Sequence, residues 1–370
     1  MHRLLRDYQH RVGYFDFWLI LFVGGLVVIG LLTLQSIHLA GGEYSSNIVN
    51  RQILALIIGI AFLVIFSSLD YHLLAFIFPF FYLVSIGLLG SVLLFVEPVR
   101  GARRWLEAGG YQIQPSEIVK PLLILFFAFF LPWGRKRWGD RKVTVISLGL
   151  ILPVLALIFF EPDLGSALLM LAIWLFLIWF GVADLRVLLF FLILSLILVP
   201  FVYQKLDVYQ RTRLLSFFEP GSDPLGGGYN AIQSVIAVGS GQVWGRHWGM
   251  GTQSHLRFLP DRHTDFIFAT FCEEQGFAGG LFVLFVFGLF FWRLANILIK
   301  IADPAGRIIV GGILGMFFCQ FGVNVGMNIG LLPITGVPLP FVSYGGSSLV
   351  ISLASIGLVE SVVRNKASVI

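Results

Sequence analysis

LPDRHTDFIFATFCEEQGFAGGLFVLFVFGLFFW, Leu259–Trp292, carries enough consecutive apolar residues to cross a bilayer, yet it opens on Asp261, Arg262, His263 and Asp265 and then carries Glu273 and Glu274. A crossing takes about 20 apolar residues, and counting that many back from Trp292 reaches Glu273. The two glutamates therefore fall near one membrane face. At a rise of about 1.5 Å per residue, Asp265 lies roughly 12 Å further out. A helix read this way either projects beyond the hydrocarbon or is walled by a cavity.

The rest of the chain has the same character. It has 370 residues, 58% of them hydrophobic and 12% charged, with 37 Phe and a mean hydropathy of +0.90. A soluble domain averages about 25% charged residues, so this composition belongs in a bilayer, and one membrane domain over 1–370 is the simplest division. Cys272 and Cys319 both lie in apolar runs, where a thiol acts as a small hydrophobe; a disulfide framework is not expected. The first apolar run follows Arg3, Arg6 and Arg11 but is too long for a signal-peptide core and lacks a clear cleavage site, so it reads as a retained helix.

Apolar runs predict an all-α polytopic protein of ten membrane helices, at 17–38, 51–69, 72–96, 117–133, 143–160, 165–183, 186–204, 265–292, 307–330 and 342–363. The segment GRKRWGDRK (134–142) holds five Lys or Arg in nine residues. The basic N-terminal segment, the loop with Arg293, Lys300 and Arg307, and the tail with Arg364 and Lys366 fall on the same side. By the positive-inside rule both termini are then cytoplasmic. Five outward segments remain, the largest being the loop 205–264 between the seventh and eighth helices.

Two outward segments are richer in cations than that rule predicts. One, EPVRGARRWLEAGGYQIQPSEIVK (97–120), carries Arg100, Arg103, Arg104 and Lys120; the loop 205–264 adds Lys205, Arg211, Arg213, Arg246, Arg257 and Arg262. Long loops translocate regardless of charge, but the short one points to an anionic ligand, since Arg suits phosphate oxygens through its planar fork of donors. DPLGGGYNAIQSVIAVGSGQVWG (223–245) reads as a short helix lying in the interface. LLPITGVPLPFVSYGGSS (331–348) has three prolines and then paired glycines; such broken backbone at membrane depth needs burial in protein or a water-filled cavity.

Each ionisable residue also has a plainer reading. Asp265 suits the first turn of a helix capped by Thr264. Glu273 and Glu274 suit interface anchors or ion-pair partners, and Glu117 and Lys120, three apart, suit a pair on one helix face. Glu161 and Asp163 flank Pro162 in a tight turn. His263 has no zinc-site spacing around it. Against these readings stands convergence: Glu117, Glu161, Asp163 and Asp265 fall on the outer side, beside clustered Arg, as a polar site at the membrane face would.

GARRWLEAGGYQIQPSEIVK, EPDLGSA, LPDRHTDFIFATFCEEQG and GLLPITGVPLPFVSYGGSSL, in this order between about residues 15 and 365, resemble the motifs of the SEDS family (shape, elongation, division and sporulation). The segments FFEPGSDPLGGGYNAIQSVIAVGSG and GVPLP resemble its elongation members more than its division members. That resemblance implies an inverting peptidoglycan glycosyltransferase that joins lipid II units, carried on undecaprenyl diphosphate, into β-1,4-linked glycan. The family's essential acidic residue falls on Asp265, a candidate general base. Arg103, Arg104, Lys120, Arg211 and Arg262 become candidates for the departing diphosphate. Glu117, Asp163, Ser343 and Tyr344, in the shared motifs, are candidate substrate-binding residues. A divalent cation, Mg²⁺ or Mn²⁺, could share the phosphate, with Asp265 as its ligand; base and ligand both stay open. The implied partner is a class B penicillin-binding protein transpeptidase, with the outer ends of the eighth and ninth helices as docking candidates, in the bacterial inner membrane. A flippase of lipid-linked precursor is the rival reading, expected to show access from both sides and internal repeats; a non-catalytic scaffold is a third. The net charge of +5 does not point to nucleic acid, because the cations divide between the cytoplasmic loops and the outer site.

Overall fold

The computed structural model describes residues 15–41, 46–97, 105–108, 111–182 and 228–366 apart from 257, with isolated positions between 193 and 218. Among these residues nine helices are long and apolar enough to cross a membrane, and the protein is a multi-pass, all-α membrane protein. The nine match nine of the ten expected spans. The seventh, 186–204, falls almost wholly outside the described residues, as do Arg103 and Arg104.

In chain order the helices are α1 (Phe17–Gly41), α2 (Ser46–Ser68), α3 (Phe78–Phe95), α4 (Pro115–Trp138), α5 (Asp140–Phe160), α6 (Leu164–Val182), α7 (Tyr229–Ser240), α8 (Thr252–His255), α9 (Ile267–Ile299), α10 (Pro304–Asn328) and α11 (Gly346–Lys366). The third expected span, 72–96, is divided: a 3₁₀ turn covers Tyr71–Phe76, and α3 starts afresh with a proline in its first turn. Proline suits that place because its missing N–H has no helical partner there. Two short strands, β1 (Leu106–Ala108) and β2 (Tyr111–Ile113), pair antiparallel just ahead of α4, in a segment expected to be loop. The interfacial helix expected within 223–245 is α7.

Burial sorts the helices into two layers. Helices α4, α10 and α11 are mostly buried inside the protein, whereas α2 and α3 bury few of their residues. Exposed residues such as Ile57, Ile65, Phe80, Leu83 and Phe285 would be a liability in water and are the surface expected toward lipid tails. Without a hydrophobic drive between helices in lipid, close backbone approach supplies the packing. At Gly357 of α11 an added Cβ would stand 2.5 Å from the Leu63 carbonyl oxygen of α2.

The decisive departure from the sequence reading is in α9. Gly276 has φ +70° and ψ −169°, so the helix is broken there into two pieces. The piece from Phe277 to Ile299 is about 23 residues, roughly 34 Å at 1.5 Å per residue, and crosses a ~30 Å hydrocarbon core alone. Residues 242–245 of the large loop fill the gap: Phe277 N donates to Gln242 O (2.8 Å), Ala278 N to Val243 O (3.1 Å) and Arg246 N to Glu273 O (3.0 Å). Broken backbone at this depth is tolerated because protein satisfies it. A Cβ at Gly276 would meet Gly245 N at 2.3 Å and Val243 O at 2.5 Å, both backbone atoms with no freedom to yield. Gly276→Ala is therefore expected to destabilise the protein by at least ~2 kcal/mol, combining clash with a conformation reserved for glycine. The unfolding midpoint in detergent checks it; an unchanged midpoint would contradict the break.

Candidate active site

Asp265 does not sit in the first turn of a capped helix. It lies in a turn whose amide donates to Asp261 O (3.1 Å), two residues ahead of α9. Thr264 does not cap that helix either: its hydroxyl donates back to Asp261 O (3.2 Å), and its carbonyl accepts from Ser343 Oγ (2.7 Å). Two buried asparagines one helical turn apart on α10 hold the turn from below. Asn324 Nδ2 and Asn328 Nδ2 both donate to the Asp265 carbonyl, at 3.1 and 3.0 Å. Asn328 Oδ1 also accepts from Ala269 N (3.0 Å), while Asn324 Nδ2 reaches Val337 O (2.8 Å). Four hydrogen bonds of two asparagine side chains are thus spent on main-chain atoms around one carboxylate-bearing turn.

The proline- and glycine-rich segment 331–345 closes the other side. Tyr344 N donates to His263 O (2.8 Å), and the two rings stand 5.5 Å apart. Ser343 Oγ accepts from Leu339 N (2.9 Å), and Gln52 of α2 grips the same segment through Ser343 O (3.2 Å) and Gly345 N (3.2 Å). The side chain of Asp265 is left half-buried at the surface of this scaffold. Burial holds the His263 imidazole below its ordinary value near 6.5, with Asp261 opposing that shift and Arg262 adding to it. The folded state therefore resists protonation. Stability carried by neutral His263 is complete above about pH 6.5 and is lost as pH falls from there toward the depressed value. Unfolding midpoints measured across that range should slope for the native chain and flatten in His263→Gln.

Of the other expected site residues, Glu117, Lys120, Asp163 and Arg262 lie on segments that adjoin this scaffold. Lys120 Nζ donates to Glu117 Oε1 (2.6 Å) in the first turns of α4, with the two side chains only 4% and 6% exposed. The strand β2, which leads into α4, packs against α11, whose start follows Tyr344. Asp163 caps α6, accepting from Ser166 N (3.1 Å) and Ser166 Oγ (2.8 Å). The neighbouring Gly165 lies against Thr335 of the proline-rich segment. Arg262 turns its guanidinium to the Ser254 carbonyl, and Arg211 donates to Gln204 O (2.7 Å).

Glu273 and Glu274 are not interface anchors. Both are fully buried. Glu273 accepts from Gln253 N (2.7 Å) and Ser254 N (2.9 Å) at the start of α8, and Glu274 accepts from Ser36 Oγ of α1 and His255 Nε2 (2.8 Å). They bind the large loop to the broken helix, and this is why charged residues stand in the middle of an apparent span. Asn324, Asn328 and Gln52 escape a reading of the sequence by hydropathy alone. The one signal in it is the i, i+4 spacing of two amides in an otherwise apolar helix.

Among the described residues no three His, Cys, Asp or Glu side chains come together as a metal site.

A sequence profile described as Cell cycle protein, covering FtsW, RodA and SpoVE, matches residues 13–368. The chain belongs to the FtsW/RodA/SpoVE family. Members of that family similar to it include the peptidoglycan glycosyltransferase MrdB of Escherichia coli K12, 37% identical over 341 residues and 91% of each chain, and stage V sporulation protein E of Bacillus subtilis, 35% identical over 94% of this chain and 97% of the other. Among solved family structures, Thermus thermophilus RodA superposes with a TM-score of 0.70 at 28% identity, over 96% of this chain and 98% of that one. A chain from a peptidoglycan synthase complex that coordinates polymerization and crosslinking gives 0.79 at 34% identity, over 96% and 99%. The SEDS resemblance read from the motifs is thereby borne out.

Proposed function

We propose that this FtsW/RodA/SpoVE-family chain is the peptidoglycan glycosyltransferase of cell elongation, polymerising lipid II at the extracytoplasmic face of the bacterial inner membrane. The observation that carries the reading is the Asp265 turn. Asn324, Asn328, Ser343 and Tyr344 fix its main chain from two sides, leaving one carboxylate half-exposed at the end of the bundle where the large loop gathers. Rigid support of a single reactive group is what catalysis by positioning requires.

In the reaction the C4 hydroxyl of the acceptor sugar attacks C1 of the donor. The C1–O bond to the diphosphate breaks with inversion, and the electron pair leaves with the lipid diphosphate. The hydroxyl proton passes to the Asp265 carboxylate, which acts as general base. Arg103, Arg104, Lys120, Arg211 and Arg262 supply cations toward the departing diphosphate, where charge grows in the transition state. Glu117 orients Lys120, and Asp163, Ser343 and Tyr344 shape the substrate cleft. A bound Mg²⁺ or Mn²⁺ would supply further charge neutralisation at the phosphates. A class B penicillin-binding protein crosslinks the product strand, in keeping with the synthase complex to which the fold is similar. The outer ends of α9 and α10 are the docking surface.

The test is glycan synthesis from purified lipid II by the full chain with its cognate transpeptidase, run beside a vesicle assay for lipid II flipping. Polymer without flipping is expected. Flipping without polymer would overturn the enzyme in favour of a transporter.

A further inference from the structure

Helices α4 and α5 meet in a hairpin joined by a single residue, Gly139, whose φ of +78° turns the chain from one helix straight into the next. Its amide closes α4 on Arg135 O (3.0 Å), and its carbonyl opens α5 by accepting from Val143 N (3.1 Å). An added Cβ at Gly134 would stand 2.7 Å from Val143 Cγ2, so the two arms pack closely up to the turn. The tip stays near the bilayer. Helix α5 has 21 residues, about 32 Å of rise, which crosses a ~30 Å hydrocarbon core and leaves its first residues at the face that the positive-inside rule makes cytoplasmic.

Five cations stand on this tip, and a local acid neutralises one of them. Arg135 closes on Asp140 through two bonds, Nε to Oδ1 (2.7 Å) and Nη2 to Oδ2 (3.2 Å). Lys136, Arg137, Arg141 and Lys142 are exposed, and among the described residues none of the four has an acidic partner. Arg141 and Lys142 stand in the first turn of α5, where the helix dipole disfavours cations. Like charges thus crowd together with no acid left in the hairpin to relieve them. Sidedness alone asks for less than this. Elsewhere on the same face Arg293 pairs with Asp16 (2.6 Å), and Arg364 donates to the Ser68 and Leu69 carbonyls.

Beneath the cations lies an aromatic platform. The Trp133 and Trp138 rings meet edge to face at 5.0 Å, with Phe130 at 6.1 and 6.3 Å from them. Trp133, 46% exposed, has the Arg137 guanidinium 5.8 Å from its ring centroid. Exposed tryptophan favours the level where headgroups meet acyl chains, so the guanidinium it holds lies at the level of lipid phosphates.

We propose that the tip of the α4–α5 hairpin is a binding site for an anionic phospholipid of the cytoplasmic leaflet, its phosphate among Lys136, Arg137, Arg141 and Lys142 and the start of an acyl chain against Trp133. Basic clusters at the inner end of a membrane helix attract such lipids by about fivefold per cation. A lipid suits the tip better than an acidic protein does. A one-residue turn at membrane depth gives a protein no raised surface to grip, whereas lipid phosphates already stand at that height. The site is at the opposite end of α4 from Glu117 and Lys120 and does not depend on the activity proposed for the Asp265 turn.

Native mass spectrometry of the full chain, released from detergent and titrated with dioleoyl phosphatidylglycerol, dioleoyl phosphatidylcholine, glycerol 3-phosphate or a polyglutamate peptide, tests it. For the first molecule bound, at least tenfold preference for phosphatidylglycerol over each of the other three is expected. Arg137→Gln with Arg141→Gln should lower phosphatidylglycerol retention at least tenfold. Lys300→Gln with Arg307→Gln, which removes the same charge from exposed positions on the same face, should change it less than twofold. Equal retention of the two lipids by the native chain overturns the proposal, as does an equal loss in the two double variants, which would make the preference one of net charge. Glycerol phosphate held as tightly as the lipid, or the peptide held in preference to it, overturns it in favour of a soluble anion or an acidic partner.

Discussion

Asp265→Asn is expected to reduce glycan synthesis by at least ~100-fold, the lower end of what a positioned general base contributes, with little change in the unfolding midpoint. The separation of the two effects follows from the geometry. What holds the turn is main chain: the Asp265 carbonyl on Asn324 and Asn328, the Thr264 carbonyl on Ser343, the His263 carbonyl on Tyr344. An amide in place of the carboxylate leaves every one of these bonds intact and removes the ability to take a proton or hold a cation. Lipid II polymerisation with the cognate transpeptidase, at equal folded amounts of both proteins, is the measurement. Polymer from the variant at the native rate would remove Asp265 from the chemistry and send the search to Glu117 and Asp163. Mg²⁺ or Mn²⁺ added in titration separates the two roles of the carboxylate. A ligand lost to Asn should be partly compensated by excess cation, whereas a lost base should not.

What could be read from the sequence divides along a physical line. Span positions depend on composition summed over about 20 residues, and nine of the ten runs stand as helices because burial in lipid is decided by that sum. The break at Gly276 was hidden for the same reason. Phe271 and Phe277 look alike to hydropathy on either side of it, and only the approach of residues 242–245, distant in sequence, makes a glycine necessary there. Counting along a continuous helix puts Glu273 and Glu274 at the interface. Once the helix is divided they belong to the segment that the large loop covers, and α8 and His255 satisfy them. The candidate site followed a similar rule. Asp265, Ser343 and Tyr344 stand in segments whose composition is odd for a membrane, and oddness is visible locally. Asn324 and Asn328 work through contacts made in three dimensions, with Asp265, Ala269 and Val337, that no local pattern encodes.

Lys120 offers the sharpest test of whether a residue in the candidate site holds structure, substrate or both. Its ammonium and the Glu117 carboxylate are 2.6 Å apart and almost wholly screened from water, so Lys120→Met strands a buried charge and should cost about 3–5 kcal/mol. Adding Glu117→Gln removes the stranded charge, and a neutral, similarly sized pair in place of a buried ion pair is often no less stable. The double variant is therefore expected to regain most of the lost unfolding midpoint. Polymer synthesis should not return with it. A lysine that serves only as the partner of Glu117 predicts recovery of both quantities together, because nothing else in the site would notice its replacement. A lysine that also stabilises the departing diphosphate predicts that stability and activity part company, since charge developed in the transition state needs a cation that no methionine supplies. The buried setting strengthens this outcome: a cation already stripped of water and fixed by its carboxylate needs no reorganisation when the bond to the diphosphate breaks.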